Sequence, residues 1–121
     1  MKYMLLCYDD EKFWERAGKD ALREAMREAV SLTHELDAKG QYLTAAPLEP
    51  VSTATSVRVR GGRAVVTDGP FAETREVLGG FYLIDVATLD EAIAVAARHP
   101  GARVGTVEIR PVIELEGLPG A

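Results

Sequence analysis

Apolar positions along the chain follow two rhythms. Lys2 to Tyr8 is apolar at both alternating parities, Tyr3/Leu5/Cys7 and Met4/Leu6/Tyr8, and a strand apolar on both sides belongs in the middle of a sheet. Phe81 to Val86 repeats that pattern. From Asp20 to Lys39 the rhythm changes: Leu22, Ala25, Met26, Ala29, Thr33 and Leu36 recur at helical spacing, with Arg23, Glu24, Arg27, Glu28 and Glu35 on the other side, predicting a helix that Gly40 ends. Thr88-Leu89-Asp90-Glu91 is a capping box opening a second helix. It carries Leu89, Ala92, Ile93, Ala96 and Ala97 inward and stops at His99-Pro100-Gly101. Gln41 to Ala46 reads as a short strand stopped by Pro47 and Pro50. Thr55–Arg60 and Arg63–Thr67 alternate around Gly61-Gly62 as a hairpin. Val104 to Val112 is the last strand, with Val107 and Ile109 on one face and Thr106, Glu108 and Arg110 on the other. Residues 9–18 read as a loop with a helical turn that places Phe13 and Trp14 against the core or an interface, with the lining of a ligand pocket as the alternative.

Setting the hairpin aside leaves the order β-α-β-β-α-β. This is the ferredoxin-like arrangement of the α+β class, in which the first and third core strands are central. Those are the two runs apolar on both faces. Two helices cover one face only, so the sequence predicts a second copy packed sheet to sheet, a homodimer. The hairpin is expected either to cover its own sheet or to reach the partner. One domain over residues 1–113 and a loosely held tail over 114–121 account for all 121 residues.

The formal charge of −5, without any Lys/Arg run, argues against nucleic acid or an anionic membrane as partner. No stretch approaches a membrane span, and the six-residue run Tyr3 to Tyr8 ends in Asp9-Asp10, unlike a signal peptide. With Cys7 as the single cysteine, no intrachain disulfide forms and a cytoplasmic location is expected. Cys7, His34 and His99 have no metal-ligand spacing, so neither a metal nor a cofactor is expected.

Candidate chemistry concentrates in Thr67 to Phe81 (TDGPFAETREVLGGF). An aspartate in a turn ordinarily accepts from the N–H two residues on, and here that residue is Pro70, which has none. Asp68 is therefore the first candidate for a general acid/base or a ligand acceptor, against the alternative of a capping carboxylate on Phe71 N–H. Glu73 and Glu76 would share a side if the segment were helical and pair their carboxylates, against the reading as solvated charges. Gly79-Gly80 marks a bulge or a close approach by a ligand or a partner. Arg110, beside Glu108, and Arg75 are candidate anchors for an anionic substrate, while a Glu108–Arg110 ion pair is the plainer reading.

The strings KYMLLCY, AKGQYLTAAPLEP, VRVRGGRAVVTDGPFAETREVLGGFYLIDV, TLDEAIAVAAR and TVEIRP resemble the DGPF group of YCII-related proteins over nearly the whole chain. The resemblance implies a dimeric α+β barrel of ferredoxin-like subunits, bacterial in origin. It implies a setting beside extracytoplasmic-function sigma factors, and a superfamily that includes small lyases, isomerases and monooxygenases. Other YCII proteins carry a histidine in the first helix paired with an aspartate. That position aligns here with Ala29, and His34 lies one turn further on, so the imidazole half is missing. The expected function is a small-molecule-binding barrel, with cofactor-independent lyase or isomerase chemistry on a small anionic or aromatic compound. The alternative is a non-catalytic accessory module acting through protein contacts, such as with a sigma factor.

Overall fold

The computed structural model describes residues 1–120. The elements run β1 (Lys2–Asp9), α1 (Glu11–Ala17), α2 (Lys19–Ala38), β2 (Tyr42–Pro47), β3 (Thr55–Arg60), β4 (Arg63–Asp68), β5 (Val77–Asp85), α3 (Leu89–Arg98) and β6 (Thr106–Pro111). Four strands form one antiparallel sheet in the order β2-β5-β1-β6, and β3-β4 is a separate hairpin. The ferredoxin-like α+β fold is thus present, with the two doubly apolar strands central.

Their two faces meet different fates. Tyr3, Leu5 and Cys7 of β1 and Tyr82 and Ile84 of β5 lie under the helices, buried with Leu32 and Leu36 of α2 and Ala92, Val95 and Ala96 of α3. Met4, Leu6, Tyr8, Phe81 and Leu83 line the other face, half-buried among their sheet neighbours, with no helix above them. The hairpin does not cover that face either. Every residue of β4 and all of β3 except Ser56 are exposed, so the pair stands off the body as an arm. The register selects one parity: Val57 faces Val66 and Val59 faces Ala64, giving the arm one apolar side. Gly61 and Gly62 at its tip take φ of 57° and 76°, the left-handed pair a two-residue turn demands.

Several boundaries differ from those read from the sequence. The segment around Phe13 and Trp14 is a seven-residue helix, capped by the Asp10 side chain on Lys12 N–H. β5 begins at Val77, four residues before Phe81, because Tyr8 and Asp9 pair with Leu78 and Val77 across a bulge at Gly79. Residues 104, 105 and 112 lie outside β6. On α2 the inward residues are Leu32 and Leu36, while Met26 is exposed. On α3, Val95 is buried, and Leu89, Ile93 and Ala97 point outward. Each helix touches the sheet along a stripe narrower than its apolar side, and periodicity does not select within that side. The last residue of the expected tail, Ala121, lies outside the described residues.

His99 staples the end of α3 to the sheet. Its Nδ1 accepts from Gly101 N–H at 2.9 Å, its Nε2 lies 4.0 Å from Cys7 Sγ, and its ring meets Tyr82 edge-on at 5.3 Å. Accepting at Nδ1 requires the neutral ring. Burial lowers the His99 pKa, with Glu28 raising it and Arg103 lowering it to smaller extents.

Two tests follow from this packing. Ile84, fully buried, is expected to cost about 3 kcal/mol on truncation to Ala, whereas half-exposed Ile93 costs under about 1 kcal/mol, measured by urea denaturation. Comparable losses would contradict the assignment of the inward stripe. Because His99 has a folded pKa below its ordinary 6.5, the unfolded chain binds its proton first, and stability falls as pH drops below about 6.5 toward the lowered value. His99→Asn keeps an acceptor for Gly101 N–H and should flatten that slope between pH 7.5 and 5. An unchanged slope would assign the acid sensitivity to another group.

Candidate functional site

The loop from Gly69 to Glu76 is irregular, with bends and no helical turn, and is exposed from Pro70 on, so the helical spacing that would pair Glu73 with Glu76 is not formed. Gly69, at φ 97°, donates its N–H to Ala54 O at 2.7 Å and accepts from Ser56 Oγ at 2.8 Å, which closes the arm at its root. Asp68 ends β4, is exposed, and accepts no hydrogen bond among the described residues; the capping bond to Phe71 N–H is not formed. Its parity places it on the same side of the arm as Val57, Val59 and Val66. Glu73 is exposed. Arg110 pairs with Glu108 on the open sheet face.

The second half of the loop is tied to the end of β1. Arg75 Nε lies 3.5 Å from Asp10 Oδ2, and Glu76 Oε1 accepts from Thr106 Oγ1 at 3.0 Å. Glu11 Oε2 accepts from Val51 N–H at 3.0 Å, fixing the other root of the arm. Asp9, between these anchors, has Oδ2 held by the Trp14 indole N–H at 2.6 Å. Its Oδ1 would lie 3.2 Å from a Cβ placed on Gly79, so the bulge glycine makes room for the carboxylate. At Gly80 the approaching atom is Ala46 O, 3.0 Å from where a Cβ would stand. Both glycines accommodate their own chain. Gly105 is tighter still, a Cβ there falling 2.1 Å from Tyr8 O.

Asp9 is the group whose chemistry this arrangement alters. Burial raises its pKa, the Trp14 bond works in the opposite direction, and Glu11, Glu76 and Asp10 add like-charge repulsion that raises it further. A half-buried carboxyl that holds its proton more tightly than usual is equipped to exchange one with a ligand. The structure thus brings Glu76 and Gly79 to Asp9, sets Arg75 on the neighbouring Asp10, and leaves Asp68, Glu73, Gly80 and Arg110 outside that cluster. Asp9 was legible only as a loop residue, and Trp14 as a core or interface aromatic with a ligand pocket as the alternative. The available signal was an Asp-Asp-Glu run directly after a central strand, with an indole donor one helical turn on.

A shallow groove lies between α1, α2 and the turn after α3, lined by Phe13, Trp14, Ala21, Ala25, Pro100 and Val104. Across it Arg103 holds Glu28 through two bonds of 2.9 and 3.0 Å, which keeps the Glu28 pKa below the ordinary value. Among the described residues no helix is long and apolar enough to cross a membrane.

A family model for the YCII-related domain matches residues 1–116. The uncharacterized protein R00369 of Rhizobium meliloti (strain 1021) is 39% identical over 114 residues, spanning 93% of this chain and 92% of that protein.

The indole bond gives a direct test. Trp14→Phe keeps an aromatic ring and removes the donor, so the Asp9 pKa should rise further, read by carboxyl-carbon NMR titration. A fall, or no change, would mean that the 2.6 Å contact does not stabilise the carboxylate.

Proposed function

The chain belongs to the YCII-related domain family, and on that premise we propose that it is a small-molecule-binding homodimer with cofactor-independent lyase or isomerase chemistry. Two copies close by packing their open sheet faces, which removes Met4, Leu6, Phe81 and Leu83 from water and forms the dimeric barrel. Asp9 transfers the proton, and the exposed Asp68 is a second carboxylate for the same chemistry. Arg75 at the loop and Arg110 on the open face are the cations for an anionic group of the substrate. Each of them makes a single-carboxylate ion pair, an arrangement a ligand carboxylate can enter or exchange with.

The observation that carries this reading is the state of Asp9. A carboxyl whose pKa is raised by folding destabilises the protein as pH rises through that pKa, since the unfolded chain ionises more easily. The fold therefore keeps Asp9 at a cost to stability, which points to use elsewhere.

A second reading, a non-catalytic accessory module acting on a protein such as a sigma factor, draws on the exposed apolar arm and on Phe71, 79% exposed beside it.

Asp9→Asn separates these roles. Under the enzyme reading it is at least as stable as wild type at pH 7 by urea denaturation. In a thermal-shift screen of small organic acids and phenols, a compound class that raises the wild-type melting temperature leaves the variant unmoved. A variant destabilised by more than about 1 kcal/mol makes Asp9 a structural group. Equal shifts in both proteins remove it from the binding chemistry, and a screen with no response in either moves the weight to the accessory reading.

A further inference from the structure

Two exposed segments of the chain share one alternating pattern with opposite charge. β3 reads Val57-Arg58-Val59-Arg60, and residues 113–116, just beyond β6, read Ile113-Glu114-Leu115-Glu116. Val57 and Val59 lie on one side of β3 and Arg58 and Arg60 on the other, as their register with β4 shows. The two valines are 62% and 63% exposed, and Ile113 and Leu115 are 84% and 63% exposed. Arg58, Arg60 and Glu116 make no ion pair among the described residues. Glu114 has Lys2 at 3.5 Å, an exposed pair that contributes little.

β3 and β4 form a sheet of two strands, so β3 keeps one edge unpaired. A two-stranded hairpin is marginal in water, and a free edge is a template for a third strand. A strand laid on that edge has to match β3 on both sides at once. Residues 113–116 do so in either strand direction: Glu114 and Glu116 fall beside Arg58 and Arg60 while the apolar residues fall on the valine side. The edge of β4 matches less well, since Arg63–Asp68 holds a single arginine. A turn at residues 116 and 117, with Gly117 at φ 91°, ends the alternating run.

Distance fixes which arm the segment meets. Val112 N–H donates to Lys2 O at 2.9 Å, and β6 runs antiparallel to β1, so the chain leaves the sheet past the start of β1. The arm is rooted past the other end, where Val51 N–H meets Glu11. β1 has eight residues, which at the usual rise of a strand separates the two by about 25 Å. Residues 113–116 therefore head away from the arm of their own subunit.

We propose that residues 113–116 of one copy add as a third strand to the free edge of β3 in a second copy, with Glu114 and Glu116 on Arg58 and Arg60. This rests on the homodimer reading above and deepens it. A two-fold axis crossing the strands lays the tail end of each sheet over the arm end of the other, so the exchange is reciprocal and closes.

The test compares wild type with Arg58→Glu/Arg60→Glu, with Glu114→Arg/Glu116→Arg, and with all four substitutions combined. Sedimentation equilibrium gives the dimer dissociation constant, and hydrogen exchange read by mass spectrometry gives the protection of the Thr55–Arg60 amides. All four positions are exposed, and unchanged circular dichroism confirms an intact subunit. Wild type is expected to dimerise and to protect β3 only at concentrations where the dimer forms. Each pair of reversals should weaken the dimer at least about 10-fold and expose β3, and the combined variant should restore both. Undiminished dimers with β3 unprotected in all four proteins overturn the strand addition and leave the sheet-to-sheet homodimer standing. Protection of β3 in a protein that sediments as a monomer assigns the segment to its own arm and overturns the exchange. A combined variant as weak as either pair of reversals overturns the matching of sides. A wild type that stays monomeric and unprotected at millimolar concentration overturns this proposal and the homodimer together.

Discussion

Everything in this fold depends on an imbalance between a sheet with two apolar faces and helices enough for one. β1 and β5 bury Tyr3, Leu5, Tyr82 and Ile84 beneath α2 and α3, and place Met4, Leu6, Phe81 and Leu83 on the side without a helix. At roughly 25 cal/mol per Å² of apolar area removed from water, a face of several large side chains represents a large unrealised gain for a single subunit. Neither the described part of the tail nor the arm realises it within the chain, and the proposed association with a second copy would do so with no further sequence.

The acidic run after β1 organises the other end. Asp9, Asp10 and Glu11 are consecutive, yet each holds a different piece: the Trp14 indole, the Arg75 guanidinium and the Val51 amide. These three bonds fix α1, the loop after the arm and the segment before it. Each bond to an ionised acceptor is stronger than a neutral one. Burial first, and the neighbouring carboxylates Glu11, Glu76 and Asp10 to a smaller extent, make Asp9 reluctant to ionise. Anchoring and proton affinity come from the same residues.

The sequence was most informative where one physical rule acted alone. Doubly apolar runs identified the central strands, and Gly61-Gly62 identified the hairpin. It was less informative where two rules competed. Periodicity on α2 and α3 marked a broad apolar side but not the narrow stripe that meets the sheet, so Leu32 and Val95 were missed and Met26 and Ile93 misplaced. The bulge at Gly79 shifted the start of β5, because register depends on the partner strand and not on the residues' own propensity. Asp9 was illegible for a related reason: its chemistry comes from Trp14, Glu76 and Gly79, residues that only the tertiary fold brings to it.

Cys7 faces the helices between β1 and His99, and burial together with the neighbouring Asp9 pushes its thiol up to about 11. Near pH 8 only about one thiol in a thousand is then ionised, and the thiolate is the form that reacts with maleimides, iodoacetamide or peroxide. The native protein is in effect cysteine-silent. A single cysteine introduced on its surface would report as a unique chemical handle for a fluorophore or a spin label, with Cys7 left in place.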